Sequence, residues 1–323
     1  MKLPNLTTLE KATELIHQSL SPTPQIHWPL LSQRTGAEVY VKHENHTPIG
    51  AFKIRGGLYY MKNLNKDKIS EVVAATRGNH GQSIALSAGI NGLKAKIVVP
   101  KGNSPSKNAA MVGLGADLIE YGEDFQEALE YSVTLVNSNR TKSIPSFDMN
   151  LVIGVATYGI EFFRSINDLH TVYVPIGLGS GICGLISARN ALNLSTRIVG
   201  VVSNNADTYA KSFTAGKPIN TDTAQTLADG IACRVPVPEA LQIILGGAER
   251  IVRVSDKQIL DAMGYYLTDT HNLSEGAGAA PLAALLKEKR EMKSKKVGLI
   301  LSGGNADPSL LISTLDRYKE RYN

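Results

Sequence analysis

Glu71-Val72-Val73-Ala74-Ala75-Thr76-Arg77-Gly78-Asn79-His80-Gly81-Gln82 is the stretch that decides the architecture. Its first half is a run of small and β-branched apolar residues, the pattern of a strand buried on both faces. A glycine-containing turn follows, and then helical periodicity from His80 to about Ile90. Strand, turn and helix in this order form a βα unit, and βα units build parallel sheets with right-handed crossovers.

The same rhythm continues in both directions. Lys96–Val99 reads as the next strand, ended by Pro100-Lys101-Gly102. A helix near Ser106–Leu114, a strand at Asp117–Tyr121 and a helix from Asp124 to about Asn137 follow. Beyond a helix near Leu151–Ile166 come strands at Thr171–Ile176 and Arg197–Val202. Ser255, with Asp256 beside it, reads as the N-cap of a helix to about Asp269. A last strand, Val297–Leu301, runs into Ser302-Gly303-Gly304-Asn305 before a closing helix. The expectation is an α/β protein with two parallel-rich twisted sheets, flanked by helices, meeting across a cleft. A soft boundary falls near residue 148, after Pro145-Ser146-Phe147.

Composition agrees. The chain has 323 residues, of which 43% are hydrophobic and 6% aromatic, so its core rests mainly on Ala, Val, Ile and Leu. The net charge of +5 is spread along the chain. Its densest basic run, Lys287 to Lys296, alternates sign at first and reads as a solvated helix end and loop. Nucleic acid is therefore not an expected partner, whereas a small anion entering a cleft is. Cys183 and Cys233 form no metal or redox spacing. No secretory leader is evident, and no apolar run approaches the roughly eighteen residues of a membrane span. The expected location is the cytoplasm.

Three segments can carry chemistry, because open α/β sheets bind ligands at the carboxyl ends of their strands. Gly177-Leu178-Gly179-Ser180-Gly181-Ile182-Cys183-Gly184 lies between a strand and a helix, where backbone N–H groups and the helix dipole attract phosphate. Gly179 to Gly184 also fits the dinucleotide pattern, but the next strand ends Val201-Val202-Ser203-Asn204, with no carboxylate before Asp207. A glycine-rich packing turn without ligand is the plain alternative. In Thr76 to Gln82, Asn79 and exposed N–H groups can hold a carboxylate or phenolate oxygen, or else merely cap a turn. His80 taken alone reads as structural. The third segment, Ala51-Phe52-Lys53-Ile54-Arg55-Gly56-Gly57, follows the turn-like Thr47-Pro48-Ile49-Gly50. Most helical lysines are surface charge. One set between Phe52 and Ile54 can have its pKa lowered by apolar surroundings and form an imine.

Five motifs in this order resemble the fold-type II pyridoxal-phosphate enzymes, in the branch of serine/threonine dehydratases and serine racemases. They are Ala51–Gly57, Thr76–Gln82, Gly177–Gly181, Ser274-Glu275-Gly276-Ala277-Gly278 and Ser302–Asn305, and the resemblance covers nearly the whole chain. It implies residues 1–66 with 149–323 as a large cofactor-binding domain and 67–148 as a small substrate-binding one. It also implies pyridoxal 5'-phosphate as cofactor, a small amino acid as substrate and a homodimer.

Residue by residue, the resemblance makes Lys53, beside Phe52, the Schiff-base lysine and main proton shuttle. Gly177, Leu178, Gly179, Ser180 and Gly181 become the phosphate cradle, Asn79 the partner of the phenolate, Ser302 the partner of the pyridine nitrogen, and Glu275 a neighbour of the ring. Thr76, Arg77, Gly78, Asn79 and His80 are assigned to the substrate carboxylate. A neutral Ser302 leaves the ring a weaker electron sink than a carboxylate would, which favours prompt β-elimination. The expected activity is dehydration and deamination of L-threonine or L-serine to a 2-oxo acid and ammonia.

Three positions depart from the pattern. Arg77 stands where racemases carry a proton-donating serine. With a pKa above about 12 it is a poor acid–base group, so racemisation is not expected. Its guanidinium either clamps an additional substrate carboxylate, as in 3-hydroxyaspartate, or turns outward. Phenylserine is a further candidate substrate. The racemases' divalent-cation site falls on Val202 and Thr208, so no metal is expected. Little chain follows the last helix, so no isoleucine-binding regulatory domain is expected.

Overall fold

The computed structural model describes residues 3–65 and 67–322, the last three of these by backbone alone. The described residues form ten strands: β1 (Gln25–His27), β2 (Glu38–His43), β3 (Glu71–Ala75), β4 (Lys94–Val99), β5 (Ala116–Glu120), β6 (Thr141–Ser143), β7 (Thr171–Pro175), β8 (Arg197–Ser203), β9 (Arg250–Val254) and β10 (Lys296–Leu301). They form a six-stranded sheet in the order β1-β2-β10-β7-β8-β9 and a four-stranded sheet in the order β5-β4-β3-β6. All pairs are parallel except β1 with β2.

The smaller sheet takes its strands from residues 71–143, and the larger one takes its strands from both sides of that segment. Every residue of β7 is buried, as are Val297 to Leu301 of β10, and that is why these strands read as continuous apolar runs. Helix Met149–Ser165 packs against helices Lys53–Lys62 and Ser180–Ala191.

Local chemistry sets the element ends. Ser255 caps helix Asp256–Thr270 in a full capping box, its Oγ accepting from Gln258 N and the Gln258 side chain accepting from Ser255 N. Asp124 caps helix Phe125–Thr134 by accepting from Glu127 N, and Asp148 caps helix Met149–Ser165 by accepting from Asn150 N. The basic run starts at the helix end Lys287 and passes through turns to Lys295, and its last residue, Lys296, opens β10.

Strands β1, β2, β6 and β9 are not anticipated by the sequence reading. β1 and β6 have only three residues each, and β2 and β9 carry charged residues within their length.

Candidate active site

The five motifs converge and are joined to one another by hydrogen bonds. Lys53 opens helix Lys53–Lys62, and its Nζ donates to Ser180 Oγ at 2.9 Å, linking the lysine segment to the glycine loop. Phe52 N donates to Ser302 O at 3.0 Å and Gly304 N to Gly50 O at 2.9 Å, which zips that segment to the end of β10. Asn79 Nδ2 donates to both Glu275 oxygens, at 2.9 and 3.1 Å, and Asn305 Nδ2 donates to Asn79 Oδ1 at 2.8 Å. Glu275 N closes the ring on Gly303 O at 3.1 Å.

The loop 177–181 leads from β7 into helix Ser180–Ala191, whose N-terminus has no side-chain cap. The first N–H groups of this helix are therefore left to an outside acceptor. Glycine is required by geometry here. A Cβ on Gly177 would stand 2.4 Å from Gly230 O, and Gly179 has φ +107° with Ala240 Cβ 2.6 Å from where a side chain would begin. Tyr209 Oη donates to Leu178 O at 2.9 Å and Tyr158 Oη to Gly181 O at 2.7 Å, fixing the loop from behind.

Lys53 itself is held by the helix it opens. Two residues on, the buried Arg55 donates to Glu44 at 2.7 and 2.9 Å and to Glu161 at 2.6 and 2.9 Å. Lys42 Nζ bonds Glu161 at 2.5 Å, and Thr23 Oγ1 bonds Glu44 at 2.5 Å. This anchored cluster sets the helix in the core while Lys53 stands at its free end, 5.1 Å from the centre of the Phe52 ring. Burial pushes the Lys53 amine down to about 8.

The carboxyl of Glu275 is pushed up to about 7, by burial first and by the Asp229 charge second. His80 is buried and its Nε2 meets no partner among the described residues. Burial, with the Lys53 charge added, pushes this imidazole down to about 3, so it is neutral.

One assigned hydroxyl is already spent on its own loop. The Thr76 hydroxyl accepts from Gly78 N at 3.0 Å and Gly81 N at 3.3 Å, shaping its own turn, and Arg77 is exposed. Val202 lies inside β8, and Thr208 Oγ1 donates to Ile219 O at 2.5 Å. No cluster of His, Cys, Asp and Glu able to hold a metal occurs among the described residues. Asn305, Lys107 and Asp229 belong to the site yet carry no role in the sequence reading. Lys107 forms an ion pair with Asp229 across the cleft. Both are charged residues in unremarkable local sequence, and only the fold brings them together.

Residues 16–303 match the family model described as pyridoxal-phosphate dependent enzyme. The chain belongs to that family. It is 32% identical over 308 residues to an L-threonine ammonia-lyase of Thermotoga maritima, covering 95% of this chain and 77% of that protein. It is 35% identical over 282 residues to the catabolic L-threonine dehydratase of Escherichia coli K12, covering 86% of each. Among solved structures, maize serine racemase superposes with a TM-score of 0.91 at 26% identity, covering 99% of each chain.

The residues present fit the family's cofactor. A lysine of lowered pKa can form the imine, an uncapped helix start with an obligate glycine loop can take the phosphate, and the buried Ser302 lies within the same bonded ring.

One pH dependence follows. In the protein without cofactor, Lys53 reacts with acylating reagents only as the neutral amine. Competitive labelling read by mass spectrometry should rise through pH 8 and level off, the midpoint being the Lys53 value of about 8. An ordinary lysine, near 10.4, would keep rising past pH 10.

Proposed function

We propose that the chain is a pyridoxal-phosphate-dependent ammonia-lyase that converts L-threonine, and L-serine beside it, to the 2-oxo acid and ammonia. The observation that carries this reading is the Lys53 amine, 2.9 Å from Ser180 at the head of the glycine loop, in a chain whose relatives are L-threonine ammonia-lyases. Bound there, the cofactor supplies the electron sink for the pair left when the α-carbon loses its proton.

The chain's own groups supply the rest. Lys53, with its lowered pKa, is neutral often enough near pH 8 to take the α-proton, and Ser180 Oγ accepts from its Nζ and steadies it. The same ammonium then returns the proton to the departing β-hydroxyl, which leaves as water. That water is regained when the released enamine hydrolyses to 2-oxo acid and ammonia. Ser302, a neutral hydroxyl, holds no extra charge on the ring nitrogen, which favours elimination over reprotonation at the α-carbon. The start of helix Asn79–Ile90, which has no side-chain cap, offers N–H groups to the substrate carboxylate. Asn79 already gives its amide to Glu275, so bonding the phenolate means exchanging that partner.

The proposal includes residues 1–66 with 149–323 as the cofactor-binding domain, 67–148 as the substrate-binding domain, and a homodimer in the cytoplasm. No helix among the described residues is long and apolar enough to cross a membrane.

A second reading has its own observation. Arg77 is exposed and lines a cavity of about 230 Å³ with Asp229, Asp307 and the Lys101–Glu123 ion pair, which leaves its guanidinium as the group there that can read a second substrate carboxylate. A panel of L-threonine, L-serine, 3-hydroxyaspartate and phenylserine, assayed for 2-oxo acid with wild type and Arg77→Ser, separates the two. The main reading expects L-threonine or L-serine to lead and Arg77→Ser to keep that order. A lead by 3-hydroxyaspartate that falls about 10-fold or more in Arg77→Ser would transfer the assignment.

A further inference from the structure

Lys107 is the third residue of helix Pro105–Gly113, which follows β4 in the smaller sheet's segment. The start of this helix is tied to the opposite side of the cleft. Ser104 and Ser106 both donate to Asp307, the latter at 2.9 Å, and Lys107 pairs with Asp229. The Lys107 side chain is only 7% exposed, whereas that of Asp229 is 39% exposed. Its stem lies on Gly78, where an added Cβ would stand 2.9 Å from Lys107 Cδ. The ammonium acts electrostatically on Glu275 as well as on Asp229.

Burial costs the Lys107 ammonium its hydration, but the attraction of Asp229, Glu275 and Asp307 outweighs that cost and keeps it charged. An ammonium carries three donors, and Asp229 takes one of them. The remaining donors are held over the segment assigned to the substrate carboxylate.

We propose that Lys107 is a substrate-binding residue whose ammonium, tethered by Asp229, reaches over Gly78 to receive the α-carboxylate of the amino acid. The contact rests on the amino-acid lyase reading above and adds a charge-assisted hydrogen bond to the backbone N–H groups of the Asn79–Ile90 helix start. Asp229 is then a positioning residue, setting where the cation stands.

The test uses the holoenzyme and the variants Lys107→Met, Lys107→Gln, Lys107→Arg and Asp229→Asn. KM and kcat are measured with L-threonine. Binding of L-alanine, which has no β-leaving group, is followed by the absorbance of the bound cofactor. Lys107→Met and Lys107→Gln should raise the L-threonine KM and the L-alanine Kd together by about 10- to 100-fold, with kcat changed far less. Lys107→Arg should recover most of the binding, and Asp229→Asn, which keeps the cation, should weaken it less than Lys107→Met does.

Equal weakening by Asp229→Asn and Lys107→Met would reduce the pair to a cleft latch and overturn the proposal. Unchanged KM and Kd in Lys107→Gln would overturn it too. Loss of L-alanine binding in Lys107→Met supports the contact even in an enzyme that turns over no β-hydroxy amino acid, a result that sinks the lyase reading alone.

Discussion

Lys53→Ala is expected to give a folded protein that binds pyridoxal phosphate only through its phosphate and releases almost no 2-oxo acid. The loss of acid–base work at the α-carbon alone lowers kcat by about 10²- to 10⁴-fold, and loss of the covalent attachment adds to it. Stability should not suffer. Lys53 is the first residue of its helix, and its amine, pushed down to about 8 by burial, is disfavoured as a cation in the folded state below that pH. Removing it takes away a cost, and alanine is a good helix former. Far-UV circular dichroism unchanged from wild type, together with collapsed turnover, is the expected pair of results.

Arg55→Met should do the reverse and strike the fold first. Its guanidinium is the shared partner of Glu44 and Glu161, and none of it is exposed. Replacing it leaves two buried carboxylates with Lys42 as the remaining buried cation of the cluster. Breaking such a cluster by removing one partner costs about 3–5 kcal/mol, to be read from urea unfolding. Burial alone would raise the Glu161 carboxyl, but the charge and hydrogen bonds of Arg55, helped by Lys42 and His17, hold it down to about 2. A depressed carboxyl contributes stability above its unfolded value of 4.5 and loses it as pH falls towards 2. In Arg55→Met the Glu161 carboxyl is no longer held down by the guanidinium, so this acid-side loss below 4.5 should be smaller than in wild type. Activity losses in this variant follow from displacement of the Lys53 helix and should accompany the stability loss.

The fold and the site differ in how far the sequence reveals them. The βα units are legible because β3, β7 and β10 are apolar runs closed by glycine-bearing turns. β2 is not, because its inner face carries Lys42 and Glu44 follows it, charges that only the distant Arg55 and Glu161 make tolerable. The glycine loop 177–181 can be read locally, since a loop between a strand and a helix is a phosphate site by its own geometry. Lys53 cannot, since nothing within its segment separates it from a surface lysine. Its significance comes from Ser180, 127 positions away, and from Ser302. The Asn79–Glu275 bond, across 196 positions, and the Lys107–Asp229 pair, across 122, lie beyond any local pattern.

The measurement that bears most directly on the central claim is borohydride reduction of the enzyme loaded with pyridoxal phosphate, followed by proteolysis and mass spectrometry. A single pyridoxyl adduct on the peptide containing Lys53, absent from Lys53→Ala, is the predicted result. An adduct on another lysine, or a protein that stays colourless with added cofactor and yields no adduct, would contradict the account.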